Sequence, residues 1–278
     1  MRIFILALLL SGITFSEAQA NTRYSEDYES YPYTQPLPSG QAGSSGNEKQ
    51  WSGVVGAGAI SMPEYLGAND NEVRFLPMID IEYKQRYFLS TQRGLGFYFF
   101  RDNRFALATM VNMDWGRDES DNARLRGLGD LDPSAQLGVD LKWYINKWLS
   151  FDVDAYQAIS PGGHEGAYGN VGFGGRWPVA KNFAFRANTG IRWASDTYMS
   201  NMFGVNATQS ARSGLAQFNP DSALMAWQFG AALDFNLSPQ WFVSPTFRYI
   251  GLLGDAADSP ITQDDGQYYA GVFLGYKF

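Results

Sequence analysis

The sequence predicts an all-β fold: a closed antiparallel transmembrane β-barrel of about 12 strands, with short periplasmic turns at one rim and longer extracellular loops at the other. Three observations predict it. Apolar side chains recur at every second position, tight turns alternate with long polar connections, and the last amphipathic segment ends on an aromatic residue, Phe278.

Composition points the same way. The chain has 278 residues, 45% hydrophobic and 18% charged, with 20 Phe, 16 Tyr, 8 Trp, 30 Gly and no Cys. Charge lies below the roughly 25% usual in soluble domains, so coiled coils and disordered acidic tails are excluded. After residue 20 no apolar run approaches the ~20 residues that a spanning helix needs. The net charge of −7 argues against nucleic acid, whose phosphates demand a basic surface. Absent Cys excludes a disulfide framework, thiol chemistry and a lipoprotein anchor.

Residues 1–20 read as a secretory signal, with Arg2 as the positive end, an apolar run from Ile3 to Leu10 and a small-x-small cleavage site near Ala20. Residues 21–50, rich in Ser, Gly, Pro and Tyr, carry no periodicity that would bury a face and read as a flexible periplasmic arm. Tyr24, Tyr28, Tyr31 and Tyr33 could form a partner-binding strip there, but a solvated linker is the simpler reading.

The barrel is expected over 51–278, opening with strands at 51–60, 73–83, 86–91 and 94–101 and continuing through eight more. Phe105, Leu107, Val111, Met113 and Trp115 alternate with Ala106, Ala108, Asn112 and Asp114. Leu137, Val139, Leu141 and Trp143 alternate with Gln136, Gly138, Asp140 and Lys142. The same pattern recurs around Phe185 to Trp193, Trp227 to Phe235 and Tyr268 to Phe278. Tight turns fall at residues 84–85, 102–103, 146–147, 180–181 and 238–239. Longer connections fall at 61–72, 116–133, 160–165, 196–222 and 254–266, with one short exception at Gln92 and Arg93. An even strand count puts both ends of the barrel on the periplasmic side.

In hydrocarbon an unpaired amide costs several kcal/mol, so strands can span only as a closed sheet. The apolar rows then face lipid. Trp51, Trp115, Trp143, Tyr144, Trp148, Trp177, Trp193 and Trp241 are placed to form interfacial girdles. Facing the lumen are Arg104, Asp140, Lys142, Asp152, Asp154, Arg176, Arg186, Arg192, Asp234 and Arg248. Charges of both signs there pair across the barrel or line a narrow aqueous path; a mostly occluded lumen with a water-filled part is favoured over an open pore.

No catalytic set is visible. His164, the single histidine, lies in a connection and reads as a solvated loop residue with no membrane-embedded substrate in reach. Asp152 and Asp154 near Asp140 and Lys142 suit structural ion pairing better than a glycosidase pair. His and Cys show no metal-ligand spacing. The acidic loop clusters (Asp118, Glu119 and Asp121; Asp130 and Asp132; Asp255 and Asp258; Asp264 and Asp265) read as solvated or lipopolysaccharide-bridging rather than as a Ca²⁺ or Mg²⁺ site. No cofactor is expected.

Particular strings resemble the MipA/OmpV family. They are Phe203-Gly204-Val205, the run from Gln209 to Leu215 with Ser213-Gly214-Leu215, and the run from Leu252 to Ile261 with Gly254-Asp255 and Asp258-Ser259-Pro260. Tyr65-Leu66-Gly67, Leu76-Pro77 and Gly127-Leu128-Gly129-Asp130 are similar too. Met202 and Ser210 depart from the family's usual aromatic and Ala. The resemblance covers 51–278 and leaves out the arm. It implies a non-enzymatic protein of the Gram-negative outer membrane, in one branch a scaffold joining a lytic transglycosylase to a bifunctional murein synthase, in others porin-like or adhesive. Its surroundings would be outer-membrane lipid and lipopolysaccharide, and its terminal Phe278 is similar to the signal read by the barrel assembly machinery. The family strings fall in loops on the extracellular side, which weakens a purely periplasmic role or folds those loops into the barrel as a plug.

Overall fold

The computed structural model describes residues 50–278. The expected signal and all of the arm except Gln50 lie outside the described residues.

Twelve strands follow in chain order: β1 Trp51–Pro63, β2 Asn71–Tyr83, β3 Tyr87–Ser90, β4 Gly94–Arg101, β5 Phe105–Asp114, β6 Ser134–Tyr144, β7 Leu149–Ala158, β8 Ala167–Ala180, β9 Phe183–Ala194, β10 Ala223–Asn236, β11 Trp241–Leu252 and β12 Gly266–Lys277. Each pairs antiparallel with its chain neighbours, and β1 closes on β12 from Val54↔Lys277 to Ser61↔Ala270. The sheet therefore has no edge, as the hydrocarbon requires. The expected 12-strand barrel is the observed one.

Side-chain orientation follows the period of two. On β6, Leu137, Val139, Leu141 and Trp143 are exposed while Gln136 and Lys142 are buried; on β5, Val111 and Met113 are exposed while Ala108 and Met110 are buried. Phe75 is 81% exposed, a position only a lipid neighbour makes favourable. Tyr144 faces the other way: it packs against the interior cluster and is not part of the girdle.

β1 and β2 run longer than expected at the loop rim, and β3 is shorter. β1 continues through Ser61, Met62 and Pro63 because these residues keep pairing with β2, ending at Pro63↔Asn71. β3 is only four residues long and pairs with β2 over four positions, so the wall is low beside the 91–93 connection.

The connections at the turn rim are 84–86, 102–104, 145–148, 181–182 and 237–240. Those at the loop rim are 64–70, 91–93, 115–133, 159–166, 195–222 and 253–265. Three helices, unforeseen in the sequence, lie in the last two: α1 Asp196–Phe203, α2 Ala207–Ser213 and α3 Asp255–Asp258. Their starts are locally encoded. The Ser195 side chain caps α1 by accepting from Tyr198 N–H, and Asn206 with Gln209 forms a capping box on α2.

Candidate functional site

The loops do not extend into solvent; they fold over the barrel mouth. Tyr198, Met199, Met202 and Phe203 of α1, Leu66 of the first loop and Ala256 of α3 are buried among inward residues of the wall. Above them a second apolar cluster joins Tyr65, Ala68, Leu125, Leu128, Val205 and Ile261, four loops that no local contact relates. Phe203 and Val205 thus serve opposite sides of one turn. Gly204 between them is forced, since a Cβ there would lie 2.3 Å from Ser200 O.

Hydrogen bonds tie this cap together. Tyr65 donates its hydroxyl to Ile261 O (2.9 Å), Ser259 Oγ donates to Phe203 O (2.6 Å), and Arg124 Nε donates to Pro260 O (2.8 Å). Arg117 Nη1 reaches Met202 O (3.1 Å) and Gln209 Nε2 reaches Leu128 O (2.8 Å). Asp255 accepts from Asp221 N–H (2.9 Å). At Ser213-Gly214-Leu215, Gly214 ends α2 in the left-handed region while Leu215 packs on the outer cluster. Met202, where the resemblance led to an aromatic, fills the inner cluster with a flexible thioether. Asp258 stays exposed, and its N–H donates to Gly254 O (2.9 Å).

His164 corrects the sequence reading. It is 0% exposed, because Pro161, Gly162 and Gly163 let its loop bend into the barrel mouth. Its Nε2 lies 3.1 Å from Asp114 Oδ2 and 2.8 Å from the Gln136 amide nitrogen. Nδ1 accepts from Gly166 N–H (3.1 Å), and Asn201 of α1 donates to His164 O (2.6 Å). Both ring nitrogens are engaged in holding loop, wall and cap together.

Below the cap the lumen is polar. Arg186 grips Asp234 through Nε (2.9 Å) and Nη2 (2.8 Å), and Ser244 Oγ donates to the same carboxylate (2.8 Å). Arg176 Nε stands farther off, 3.7 Å from Asp234 Oδ2. Lys142 pairs with Asp152 at 2.9 Å, the structural ion pair expected for that strand face. Asp140 lies beside Asp154 in register. Asp154 accepts from Asn170 (2.6 Å), which in turn accepts from Arg192 Nε (2.9 Å). Arg248 Nη2 donates to Gln228 Oε1 (2.9 Å).

Arg104 is the exception among the ten lumen candidates. It is exposed in the 102–104 turn, not in the wall. Asp102 Oδ1 accepts from the N–H groups of both Arg104 and Phe105 (2.7 Å each), so the turn holds Arg104 and the strand starts one residue later. Those two N–H groups hold the Asp102 carboxyl below its usual range.

Other charged residues that face the interior were not among those ten candidates, including Asp80 with Arg93 (3.2 Å), Glu82 with Arg101 (3.0 Å), Arg74 on β2 and Lys277 on β12. The signal was present, because Leu76, Met78, Asp80 and Glu82 follow the period of two on β2. Arg93, beyond the short β3, had no pattern to betray it.

The acidic loop residues largely satisfy backbone. Asp118 Oδ1 accepts from Ser120, Asp121 Oδ2 from Asp118, Asp130 Oδ1 from Glu119 and Asp264 Oδ1 from Gly266.

The space left inside has a direction. A cavity of about 190 Å³ opens at the turn rim, and a second of about 110 Å³ lies deeper between β6 and β9, both lined by Arg186. Beneath the cap a space of about 10 Å³ lies beside Leu66, Arg192 and Arg248, and a separate hollow of about 550 Å³ is set among the cap loops themselves, lined by Arg117, Leu128, Asn201, Val205, Gln209 and Phe218.

Among known proteins, MltA-interacting proteins of Escherichia coli (strain K12) and Shigella flexneri are each 29% identical to this chain over 89 residues. That stretch is 32% of this chain and 36% of the relatives, so the match spans about a third of their length. Among solved structures, the NanC porin gives a TM-score of 0.45 at 10% identity, covering 81% of this chain and 100% of the porin. The KdgM porin gives 0.40 at 6% identity, covering 81% and 99%. A family model described as MltA-interacting protein MipA matches residues 55–278, from within β1 to the last residue, and so takes in the wall and the whole cap. The chain belongs to the MltA-interacting protein MipA family.

Proposed function

We propose that this protein is a non-enzymatic outer-membrane barrel that serves as an interaction protein of the cell envelope, closed toward the outside and presenting its turn rim to the periplasm. The observation that carries the reading is the cap. A solute path needs water from rim to rim, whereas here two apolar clusters and hydrogen bonds between loops close one end. Short turns belong at the periplasmic rim of such barrels, so the open vestibule and Gln50, where the chain enters β1, share the side where murein is built and cleaved. The relatives' name supports a lytic transglycosylase as one partner; a bifunctional murein synthase is the second partner we propose. Export through cleavage near Ala20 and insertion by the barrel assembly machinery complete the reading.

The test is retention of both murein enzymes from a periplasmic extract by the purified barrel. Retention is expected to fall on deleting residues 21–50 or on replacing the turn residues 146–147 and 238–239. No retention by the intact barrel overturns the scaffold.

A porin-like reading has one observation in its favour, the two cavities that share Arg186. It requires the cap to open. Planar-bilayer recording separates the two, with no stepwise conductance expected for the closed barrel. A surface adhesin would use the exposed cap residues, and deletion of the turns would leave it intact.

A further inference from the structure

The vestibule at the turn rim has a charge distribution that pairing within the barrel does not exhaust. On one wall the carboxylates are matched: Asp80 meets Arg93 and Glu82 meets Arg101. On the opposite wall three cations, Arg176, Arg186 and Lys277, share one carboxylate, Asp234. Arg186 takes both oxygens of that carboxylate. The buried Arg176 Nε is left 3.7 Å away from it, without a hydrogen-bond partner among the described residues. Lys277 Nζ donates to a neutral acceptor, Asn236 Oδ1 (2.6 Å), and sits over the Phe242 ring at 4.7 Å. The remaining lining is largely hydrocarbon, with Met78 and Phe242 facing the same space.

We propose that this vestibule is a binding site for a small organic carboxylate with an apolar body. The planar guanidinium of Arg176 matches a carboxylate with two parallel N–H donors, and the Lys277 ammonium adds a second positive charge. Met78 and Phe242 take the hydrocarbon, and contact with the latter displaces water that the ring cannot bind. Size narrows the class. At about 190 Å³ the cavity is of the order of one that holds benzene, about 150 Å³, so a monocyclic aromatic acid or a short acyl chain fits and an oligosaccharide does not. The space faces the turn rim, with Ser90, Thr91 and Gln92 of the low wall at its side, while the cap covers the other end of the barrel. The site needs only a solvated turn rim, so it stands whether or not a murein enzyme docks there.

The experiment is calorimetric titration of the full barrel in lipid nanodiscs with 3-phenylpropionate, and in parallel with its uncharged amide. Saturable binding of the acid is expected, weakened at high salt, with the amide at least tenfold weaker. Arg176→Gln is expected to weaken the acid tenfold or more. It leaves the Arg186 and Asp234 pair intact, so the fold is retained, as heat-dependent gel migration checks. Met78→Trp, which fills the cavity without changing its charge, is expected to abolish binding of both probes. Arg212→Gln, on the cap, is the control expected to change nothing. Equal affinity for acid and amide, an unchanged Arg176→Gln, binding that persists in Met78→Trp, or no saturable binding overturns the proposal.

Discussion

At the loop rim, residues from loops far apart in the chain bury one another in a miniature core, Tyr65 and Ile261 being separated by most of the barrel. At the turn rim, connections of two to four residues leave the lumen uncovered, and order comes from buried ion pairs such as Arg186 with Asp234. One end is held by apolar packing and backbone acceptors, the other by charges that need each other. The contrast teaches that closure of the wall does not dictate what fills it. Twelve strands satisfy the backbone, and the two ends are then free to differ.

The largest effect is expected where a charge loses its partner. Asp234→Ala leaves Arg186 buried without its bidentate carboxylate and removes the acceptor of Ser244 Oγ. Breaking a buried pair from one side costs about 3 to 5 kcal/mol. Reversible urea unfolding in lipid vesicles measures it, and a change under 1 kcal/mol would show the lumen to be well enough hydrated to solvate the guanidinium.

Phe203→Ala attacks the opposite end. Truncating a fully buried Phe costs about 3 to 5 kcal/mol in a core that cannot collapse, but here the loss is confined to α1 and the cap. The expected outcome is therefore local: faster amide exchange across 195–222 and 253–265, flickering conductance in planar bilayers, and a wall that unfolds as before. A silent bilayer with unchanged exchange would mean that the outer cluster alone holds the cap.

The wall was legible in the sequence for the same reason that it is robust. Alternation is read by eye because a strand turns each successive side chain to the opposite face, and lipid makes the outward row largely apolar. The same alternation turns Asp140, Lys142, Asp152 and Asp154 of β6 and β7 toward one shared cavity. The cap was not legible, since its apolar members stand singly among Gly, Asp and Asn: Leu125, Val205 and Ile261 have no period, and only the fold brings them together. Phe203-Gly204-Val205 stood out by resemblance, yet nothing in the string says that its two apolar ends face different clusters. His164 misled because a loop position is normally solvated, and two glycines do not reveal which way a loop bends. Arg104 misled by a single residue, the boundary that Asp102 moved.

A smaller effect, with a pH signature, separates the cap's polar ties from its packing. Burial pushes the Tyr65 hydroxyl up to about 12 from its usual 10. A pKa raised in the folded state means that this contribution is whole below about pH 10 and is lost as pH climbs through 10 to 12. Cap opening, followed as exchange at Ile261 and Gln263, is expected to rise over that window in the parent. Tyr65→Phe should open more readily at neutral pH by about 1 kcal/mol, the worth of an ordinary hydrogen bond, and lose the alkaline step. A step that survives in Tyr65→Phe belongs to another group.

The smallest effect is the sharpest test of the boundary between turn and wall. Arg104 is exposed and contributes only its backbone N–H to the 102–104 turn, so Arg104→Ala should fall within about 0.5 kcal/mol of the parent, as for surface positions without a special role. Asp102→Ala is expected to cost more, because it frees two backbone donors at once and its effect should vanish in acid, where the carboxyl that those donors hold low is protonated. If Arg104→Ala instead approaches the loss expected of Asp234→Ala, the arginine reaches into the lumen after all. The wall that carries Glu82 and Arg101 would then gain a further cation, and the rule that separates the two rims would have to be drawn at a different residue.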